Sequence, residues 1–480
     1  MVSIIRLPLI EELDIGLSPV LLFELFRRES FCFFLDSGMD PQKLGRYSFM
    51  GGSPFLLLKS HGENMSIIRD KVESIERGNP LDALSRYLET YRLDSQALPV
   101  PFAGGAVGYI SYDICHFIEK LPRRAVDDLQ LPECYFGFYD LMLAFDNLLG
   151  KAFVVSTGFP ELDEKRRLNR ARERLEEFKR QLASLPRDGE EPERKSTSAA
   201  GGQISLRSNF TYEAYIESVK KARQYIIDGD IFEVNISQRF EAEISITPWE
   251  LYLRLRQINP APFAAYLDFD EVIIVSASPE RFVRCQGDWV ETRPIKGTAR
   301  RGKTPREDRA KARELLSSIK DHAENMMIVD LERNDLGRVC RFGTVRVTEL
   351  AILEKYPTVY HLTSTVVGQL KEGNGRIELL KATLPGGSIT GAPKIRAMEI
   401  IDELEPTRRS IYTGNIGYLG FNGNMDLSIV IRTFLIKGNM AYFQAGGAVV
   451  YDSQPEAEYQ ETLDKVRALI DVSSICDKQI

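Results

Sequence analysis

Two residues that could carry covalent chemistry lie close together in the chain. Lys296 sits inside Pro294-Ile295-Lys296-Gly297, sixteen residues after Glu280 of Ser278-Pro279-Glu280. Desolvation in an apolar pocket is expected to lower the pKa of a lysine, which frees its amine, and to raise the pKa of a carboxyl, which keeps it as an acid. One pocket could therefore prepare both groups to displace a poor leaving group. The alternative is a solvated lysine with Glu280 as its ion-pair partner.

Pairs of carboxylates recur at helical spacing in two segments. Asp321 and Glu324 stand three residues apart, and so do Glu458 and Glu461, with Lys465 one turn further on. Residues at this spacing share one face of a helix. Such edges could hold Mg²⁺, which takes one or two carboxylates together with water and an anionic substrate group. They could equally be exposed residues that stabilise helices through pairs such as Glu461 with Lys465.

Three further features of the sequence bear on ligand binding. Arg432 interrupts an apolar strand-like run, so its guanidinium is either paired in the core or aimed at a ligand carboxylate. His361 has no Cys or second His nearby, which favours a hydrogen-bonding role over metal ligation. The glycine-rich stretch Pro385–Lys394 lacks the Gly-Lys-Ser/Thr ending of a nucleotide phosphate loop. Nucleotide binding is therefore not expected.

The elements that must position these residues are predicted to mix helices and strands. Periodicity predicts helices over Tyr212–Asp228, Thr304–Asp330 and Pro455–Ile470, and strands over Ile231–Ile244 and Asp426–Ile436. Many strands with a few long helices indicate an α+β packing rather than a βαβ repeat.

The length of the chain predicts more than one structural region. Its 480 residues exceed the roughly 250 to 300 residues of a usual single core. Residues 184–203 are rich in Pro, Glu, Arg, Ser and Gly and poor in large apolar side chains, which is typical of a linker. We therefore expect an N-terminal region over 1–183, a flexible linker over 184–203 and a catalytic region over 204–480.

Composition excludes several classes of partner. The net charge is −7 and no basic tract is present, so nucleic acid is not an expected ligand. No apolar run reaches the ~18 residues of a membrane span and the start lacks the pattern of a signal peptide, so we expect a cytoplasmic protein. The six cysteines are scattered, which favours reduced core thiols over a zinc site or a disulfide framework.

Taken together, these motifs resemble the chorismate-utilising enzymes, the family of anthranilate synthase component I, aminodeoxychorismate synthase component I, isochorismate synthase and salicylate synthase. The resemblance covers almost the whole chain and is carried by the following segments: Ser278 to Phe282, Pro294 to Thr298, Ala323 to Leu331, Arg333 to Gly337, Pro385 to Lys394, Glu458 to Thr462 and, more loosely, Gly45 to Ser48 and Gly105 to Tyr109. It implies an anthranilate synthase component I-like sandwich of two large antiparallel sheets flanked by helices. The active site would lie in a cleft between the sheets.

The residue at position 296 implies which reaction the chain catalyses. Anthranilate synthases typically have alanine there, whereas lysine is characteristic of aminodeoxychorismate synthases, so the resemblance implies amination of chorismate at C4, toward 4-aminobenzoate and folate. Lys296 would attack C2 while protonated Glu280 assists departure of the C4 hydroxyl, and ammonia would then attack C4 and expel the lysine. Amination at C2 with release of pyruvate is the enzymatic alternative, and a non-catalytic chorismate-binding or partner-binding paralogue is a third.

The resemblance also implies a role for the other site residues. Glu324 and Glu461 would hold Mg²⁺ against the ring carboxylate, with Asp321 and Glu458 beside them. The groups that would receive substrate carboxylates are Arg432, Tyr412, Gly446, Gly447 and Lys465. Thr298 and His361 would line the reacting ring. Glu233 is a departure, since isochorismate and salicylate synthases have a water-activating lysine at this position and ammonia users often have glutamine.

Two further partners follow from the resemblance. No cysteine lies in the glycine-flanked setting of a glutaminase nucleophile, so ammonia would come from a separate glutamine amidotransferase subunit in a heterodimer. The N-terminal region of the family can bind tryptophan, and Ser37, Tyr47 and Ser48 lie where that pocket would be. Asp36 replaces the glutamate common in feedback-regulated anthranilate synthases, which argues against regulation by tryptophan.

Overall fold

The computed structural model describes residues 6–14, 16–94, 98–184 and 206–473. Within these ranges the chain forms two large antiparallel sheets with helices packed on them, as expected for an α+β sandwich. Apart from Ser184, the expected linker 184–203 lies outside the described residues, so the domain boundaries remain a prediction. No helix in the described ranges is long and apolar enough to cross a membrane.

The described residues form 24 strands. These are β1 Leu9–Leu13, β2 Phe33–Asp36, β3 Tyr47–Gly51, β4 Leu56–His61, β5 Asn64–Arg69, β6 Val72–Arg77, β7 Gly105–Ile110, β8 Cys134–Tyr139, β9 Leu141–Asp146, β10 Lys151–Ser156, β11 Arg207–Ser208, β12 Glu233–Glu243, β13 Phe263–Asp268, β14 Ile273–Ser278, β15 Arg281–Gln286, β16 Trp289–Thr292, β17 Ile295–Arg300, β18 Arg346–Lys355, β19 Val359–Gln369, β20 Gly391–Ala392, β21 Asn415–Gly420, β22 Met425–Ile429, β23 Thr433–Lys437 and β24 Met440–Val449.

The same ranges contain ten α-helices and two short 3₁₀ turns. The helices are α1 Pro19–Phe23, α2 Pro80–Thr90, α3 Glu164–Ala183, α4 Tyr212–Ile227, α5 Pro248–Ile258, α6 Pro305–Ser317, α7 Ile319–Val339, α8 Arg376–Thr383, α9 Lys394–Leu404 and α10 Pro455–Ser473, and the 3₁₀ turns are Tyr112–Phe117 and Gly387–Ile389.

Both halves of the chain contribute to both sheets. The first sheet has the strand order β1-β10-β9-β3-β2-β13-β14-β23-β24-β12-β11, with β20 paired to β12. The second has the order β17-β19-β16-β15-β22-β21-β7-β8-β4-β5-β6, with β18 paired to β19. The seam in the first sheet is β2 against β13, and the seam in the second is β7 against β21. The two halves therefore share one layered framework.

Two helices carry candidate site residues, and each packs near one edge of a sheet. Helix α7 contacts β17 and β19 of the second sheet, and α10 contacts β24 of the first. Ser364 of β19 donates a 2.5 Å hydrogen bond to Asn325 of α7, and Gln238 of β12 donates one of 2.5 Å to Thr462 of α10. These buried polar contacts fix the rotation of each helix, because a one-residue rotation would leave the groups unpaired.

The prediction of a single helix over Thr304–Asp330 was wrong. Ser318 is extended and its hydroxyl accepts a hydrogen bond from the Asp321 amide at 3.2 Å, so α6 ends and α7 begins there. Serine is among the preferred N-cap residues because its oxygen satisfies an amide that has no partner in the first turn. The charged pattern continues across the break, and for that reason periodicity did not reveal it. The break places Asp321 and Glu324 in the first two turns of α7.

The prediction of a single strand over Asp426–Ile436 was also wrong. The segment forms β22 in the second sheet and β23 in the first, so the chain crosses from one sheet to the other within it. Arg432 lies in this crossing with a φ of 54°, a left-handed conformation that is uncommon for residues other than glycine. Both strands are mostly buried, so the run of apolar residues is continuous and gives no sign of a crossing.

Candidate active site

Lys296 is buried and paired with a carboxylate from the opposite sheet. Its Nζ lies 2.5 Å from Oε1 of Glu233, the first residue of β12. Burial by itself would lower the pKa of Lys296, but the charge and hydrogen bond of Glu233, assisted by Glu324 and Glu280, outweigh that effect and raise it. The expectation of a lysine pKa lowered by its pocket was therefore wrong. The alternative pair, Lys296 with Glu280, was also wrong.

Glu280 has the environment of a neutral acid. It is 3% exposed, and Oε1 accepts hydrogen bonds from the Ser388 hydroxyl at 2.6 Å and from the Ile295 amide at 3.3 Å. Burial raises the pKa of Glu280 to about 7, although Ser388, the Ile295 amide and the charge of Lys296 oppose the shift. Because Ile295 directly precedes Lys296, the same strand end positions both the acid and the lysine.

On α7, Glu324 presents a carboxylate oxygen that has no partner. Oε1 of Glu324 is buried and accepts no hydrogen bond, and the nearest cation, Nζ of Lys320, lies 3.7 Å away. Burial raises the pKa of Glu324, while the charge of Lys296 acts against that shift. Asp321 lies one turn earlier, against Gly297: a Cβ at that glycine would come within 3.1 Å of Oδ1 of Asp321. The α7 carboxylates therefore face the strand that carries Lys296.

On α10, Glu458 and Glu461 face the glycine pair of β24. A Cβ at Gly447 would come within 2.9 Å of Oε2 of Glu458 and 3.4 Å of Oε1 of Glu461. Oε2 of Glu458 is buried without a hydrogen-bond partner, and burial raises the pKa of this carboxyl. Glu461 is half exposed and bonded at 2.6 Å to Lys465. The absence of a side chain at Gly447 leaves room beside the two carboxylates.

The two carboxylate helices share their cationic neighbours. Burial raises the pKa of Glu324 and of Glu458, and the charge of Lys320 opposes both rises. The charges of Lys320 and Lys296 also act, with that of Lys465, to lower the pKa of Glu461 against the effect of burial, and Lys296 opposes the rise at Glu324. No group of three or more His, Cys, Asp or Glu side chains within the described ranges is close enough together to hold a metal ion by itself. Two buried carboxylate oxygens without partners nevertheless fit a cation such as Mg²⁺ that takes its remaining ligands from water and a substrate.

The residues expected to receive carboxylates also come together. Nη1 of Arg432 donates to the Lys465 carbonyl at 3.0 Å, and Nζ of Lys465 donates to the Gly446 carbonyl at 2.8 Å. Tyr412 is hydrogen-bonded to the backbone of Gly446, and burial raises its pKa to about 12. Ser410, Thr413 and Arg432 all have positive φ values between 53° and 59°. Residues in such sparsely populated conformations cluster at binding sites.

His361 and Thr298 form a bonded pair on neighbouring strands. Their Nδ1 and Oγ1 atoms are 2.8 Å apart, and the two residues are paired in the β17–β19 register. Burial, helped by the charge of Arg432, lowers the pKa of His361 to about 3, so the imidazole is neutral at physiological pH. Because Thr298 is itself exposed, it is available to a ligand. Thr298 lies two residues beyond Lys296 on β17, and His361 faces it from β19.

A cavity of about 810 Å³ lies at the seam between the two halves of the chain and is lined by Ser37 and Tyr47. The third residue expected there, Ser48, does not line it: Ser48 is fully buried on the other face of β3 and donates to Asp36 at 3.2 Å. Strand alternation explains the difference, since neighbouring residues point to opposite faces. Asp36 is held by Tyr252 at 2.8 Å and by Arg256 at 2.5 Å.

Some residues of the site were not predicted from the sequence. The contact between Glu233 and Lys296 joins residues 63 positions apart and had no local signal. Ser388 belongs to the glycine-rich stretch, whose motif was recognised without its role. A second buried acid, Glu332, contacts the same stretch: it accepts from the Gly387 amide at 3.4 Å and from the Thr292 hydroxyl at 3.2 Å. The spacing of Lys320 four residues before Glu324 could have indicated its pairing.

Comparison with known proteins gives a consistent result over most of the chain. The family model described as chorismate binding enzyme matches residues 31–471. The chain is 41% identical over 455 residues to anthranilate synthase component 1 of Acetivibrio thermocellus, covering 94% of this chain and 92% of the relative. It is 39% identical over 432 residues to aminodeoxychorismate synthase component 1 of Bacillus subtilis strain 168, covering 90% of each. Two reactions are thus represented at similar identity.

Solved structures agree with the fold. The crystal structure of anthranilate synthase component I from Streptococcus pneumoniae TIGR4 matches with a TM-score of 0.75 and 32% identity, covering 94% of this chain and 97% of that one. This match confirms the sandwich of two large antiparallel sheets.

Proposed function

This chain belongs to the chorismate binding enzyme family, and we propose that within this family it aminates C4 of chorismate, as an aminodeoxychorismate synthase component 1. The observation that carries the proposal is a buried lysine, Lys296, next to a residue whose amide bonds to Glu280, a buried carboxyl with a pKa raised by burial to about 7. An amine nucleophile and a protonated acid in one buried site are the groups that a double displacement requires. The coarser conclusion, a chorismate-utilising enzyme, does not depend on this residue.

The proposed reaction uses the lysine as a covalent carrier. The free amine of Lys296 attacks C2 of chorismate, the ring double bond shifts, and the C4 hydroxyl leaves as water with the proton of Glu280. Ammonia then attacks C4, the double bond shifts back and the C2–N bond to Lys296 breaks. The enolpyruvyl ether is untouched, so no pyruvate is released. The neutral imidazole of His361 and the hydroxyl of Thr298 orient the ring.

Substrate carboxylates would be received at two places. Arg432, Lys465 and the backbone of Gly446 form one polar corner, and a guanidinium suits planar recognition of a carboxylate. At the other, Glu324 and Glu461 would hold Mg²⁺, with Asp321 and Glu458 beside them. When bound, the cation would neutralise the ring carboxylate against this acidic surface.

Ammonia would come from a second subunit. The relatives are named component 1, which implies a partner component. The five cysteines in the described ranges are buried, and burial raises the pKa of each, the opposite of what a thiolate nucleophile needs. We propose a heterodimer with a glutamine amidotransferase. Addition of that subunit would make the reaction glutamine-dependent.

The cavity at the seam is proposed to take tryptophan as a fixed ligand rather than as a regulator. Its volume of about 810 Å³ lies in the range of small-molecule sites, and Asp36 is fully engaged by Tyr252, Arg256 and Ser48. Calorimetric titration would detect binding. An unchanged rate at saturating tryptophan would agree with this role, and inhibition would contradict it.

Product analysis tests the proposed reaction. The purified chain is incubated with chorismate, Mg²⁺ and an ammonium salt, and products are identified by mass while pyruvate is assayed. Aminodeoxychorismate without pyruvate is the expected result. Anthranilate with stoichiometric pyruvate would contradict the proposal and establish the alternative that the similarly identical anthranilate synthases represent.

A further inference from the structure

We propose that Glu233 is the base that takes the proton of Lys296 before attack and returns it at the end of the cycle. This inference rests on the proposed function, because it assigns a role within the Lys296 displacement. The proposed function gives Lys296 and Glu280 their roles but names no group that removes the proton from the Lys296 ammonium. Glu233 would be that group.

The geometry of Glu233 suits a proton acceptor. Its Oε1 lies 2.5 Å from Nζ of Lys296, and the pair joins β12 of the first sheet to β17 of the second across the cleft. Glu233 is 1% exposed, so bulk water does not reach it readily. Its second oxygen, Oε2, is buried without a hydrogen-bond partner. That oxygen is therefore not stabilised as an anion by other donors.

The backbone holds Glu233 in place. The amide of Phe232 donates to the Ala392 carbonyl at 2.7 Å, and the amide of Asn235 donates to the Thr390 carbonyl at 2.8 Å. A Cβ at Gly391 would lie 2.2 Å from the Glu233 carbonyl oxygen, so this close approach requires glycine. The carboxylate is thus fixed by the glycine-rich stretch that also supplies Ser388 to Glu280.

The other charged groups facing Lys296 cannot take its proton as directly. Glu280, at the β14–β15 junction, is neutral as long as it serves as the acid. Glu324 of α7 makes no hydrogen bond to Nζ of Lys296, and Glu461 of α10 is hydrogen-bonded at 2.6 Å to Lys465. Among the described residues, only Glu233 makes a hydrogen bond to Nζ of Lys296. A lysine kept protonated by its surroundings is not a nucleophile, so a proton acceptor in contact with it is required.

The proton balance closes over one cycle. Transfer from Lys296 ammonium to Glu233 carboxylate gives a free amine and a neutral acid. Attack at C2 forms a secondary ammonium while Glu280 gives its proton to the departing hydroxyl. Attack of ammonia at C4 expels Lys296 as a neutral amine, which recovers its proton from Glu233. The new C4 ammonium returns a proton to Glu280. The sum is chorismate plus ammonia giving aminodeoxychorismate plus water.

Glu233→Gln tests the proposal because the amide keeps the shape and the hydrogen bond but cannot accept the proton. Loss of the Glu233 charge also lowers the pKa of Lys296, but the amine must then lose its proton to water, and we expect kcat at neutral pH to fall by about 100-fold, in the range of general base contributions. Below pH about 7 Glu280 stays protonated. In this range the rate of the variant should increase about tenfold for each unit by which the pH is raised, because the fraction of free amine increases tenfold. The wild-type rate should be nearly flat there. Glu243→Gln, at the exposed far end of β12, is the matched control and should behave as wild type.

Glu233→Asp keeps the test decisive if the glutamine variant does not fold, which thermal unfolding would reveal. The aspartate should have a lower rate, because its carboxylate is withdrawn, with the flat profile of the wild type. A wild-type rate and profile in Glu233→Gln, a faster Glu233→Gln, or a tenfold slope in Glu233→Asp would each overturn the proposal. If the wild-type chain produced anthranilate, the proposed function itself would be overturned, whatever the rates of these variants.

Discussion

The hydroxyl of Ser388 donates a 2.6 Å hydrogen bond to Oε1 of Glu280 across 108 positions of sequence. This bond stabilises the ionised carboxylate and so opposes the rise that burial causes in the pKa of Glu280. Ser388 belongs to the glycine-rich stretch that could be mistaken for a phosphate loop. This stretch therefore helps to set the pKa of Glu280.

Ser388→Ala should extend activity to higher pH. Without the hydroxyl, the pKa of Glu280 rises further above about 7, so the acid stays protonated over a wider range. The alkaline limb of the kcat/KM profile should move upward by several tenths of a pH unit or more. Ser317→Ala, on the exposed surface of α6, should leave the limb in place. A downward shift in Ser388→Ala would contradict the role given to this bond.

Glu280→Gln separates activity from stability. Without an acid, C4 amination should fall by roughly 100-fold or more. The pKa of Glu280 is raised from an ordinary value of 4.5 to about 7 in the folded chain, so folding binds a proton and the wild-type stability falls as pH rises between these values. Above pH 7 the variant should therefore be more stable, by up to about 3 kcal/mol. Denaturant unfolding at pH 5 and pH 8 would measure this, and equal stability differences at both would contradict the neutral state of the acid.

Lys296→Ala should abolish C4 amination and destabilise the fold. Removing the lysine leaves Glu233 buried without its partner, which costs about 3–5 kcal/mol when a buried pair is broken. The double variant Lys296→Met with Glu233→Gln removes both charges and should recover most of the stability without activity. Product analysis and urea unfolding check the two effects. Full activity in either variant would remove the lysine from the mechanism.

Gly447→Ala should weaken Mg²⁺ dependence. Its Cβ would come within 2.9 Å of Oε2 of Glu458, so that carboxylate must move, and it would also contact Oε1 of Glu461 at 3.4 Å. We expect the Mg²⁺ concentration for half-maximal activity to rise by about tenfold or more, since displaced ligand and supporting groups commonly cost 10–100-fold in metal affinity. Gly337→Ala, where a Cβ on α7 meets no atom within 4 Å, is the control and should leave Mg²⁺ dependence unchanged. An equal effect of the two substitutions would argue against the carboxylate site.

The fold class could be predicted from the sequence because the motifs that carry the family resemblance also imply the two-sheet sandwich. The same motifs named most of the side chains that lie around Lys296, whose roles remain predictions. Tyr212–Ile227 and Pro455–Ser473 formed helices close to the predicted bounds. Periodicity failed at two places, Ser318, where a cap breaks a continuous charged pattern, and Arg432, where an apolar run crosses between sheets. Neither event changes the hydrophobic pattern on which the prediction relied.

Long-range contacts were the second limit on prediction. The pairing of Lys296 with Glu233 depends on two sheets meeting at a cleft, and no local spacing encodes that meeting. The predicted direction of the lysine pKa failed for the same reason: desolvation was foreseen, but the carboxylate that outweighs it was not. Likewise, Ser48 was assigned to a pocket that its strand face excludes.

Mass analysis of the chain incubated with chorismate and Mg²⁺ in the absence of ammonia tests the covalent role of Lys296 most directly. Without the second nucleophile, the displacement stops at the Lys296 adduct. We predict a mass increase of one chorismate less one water, located by peptide mapping on Lys296 and lost on addition of ammonium. An unmodified Lys296 in a preparation that forms aminodeoxychorismate once ammonium is added would contradict the covalent mechanism.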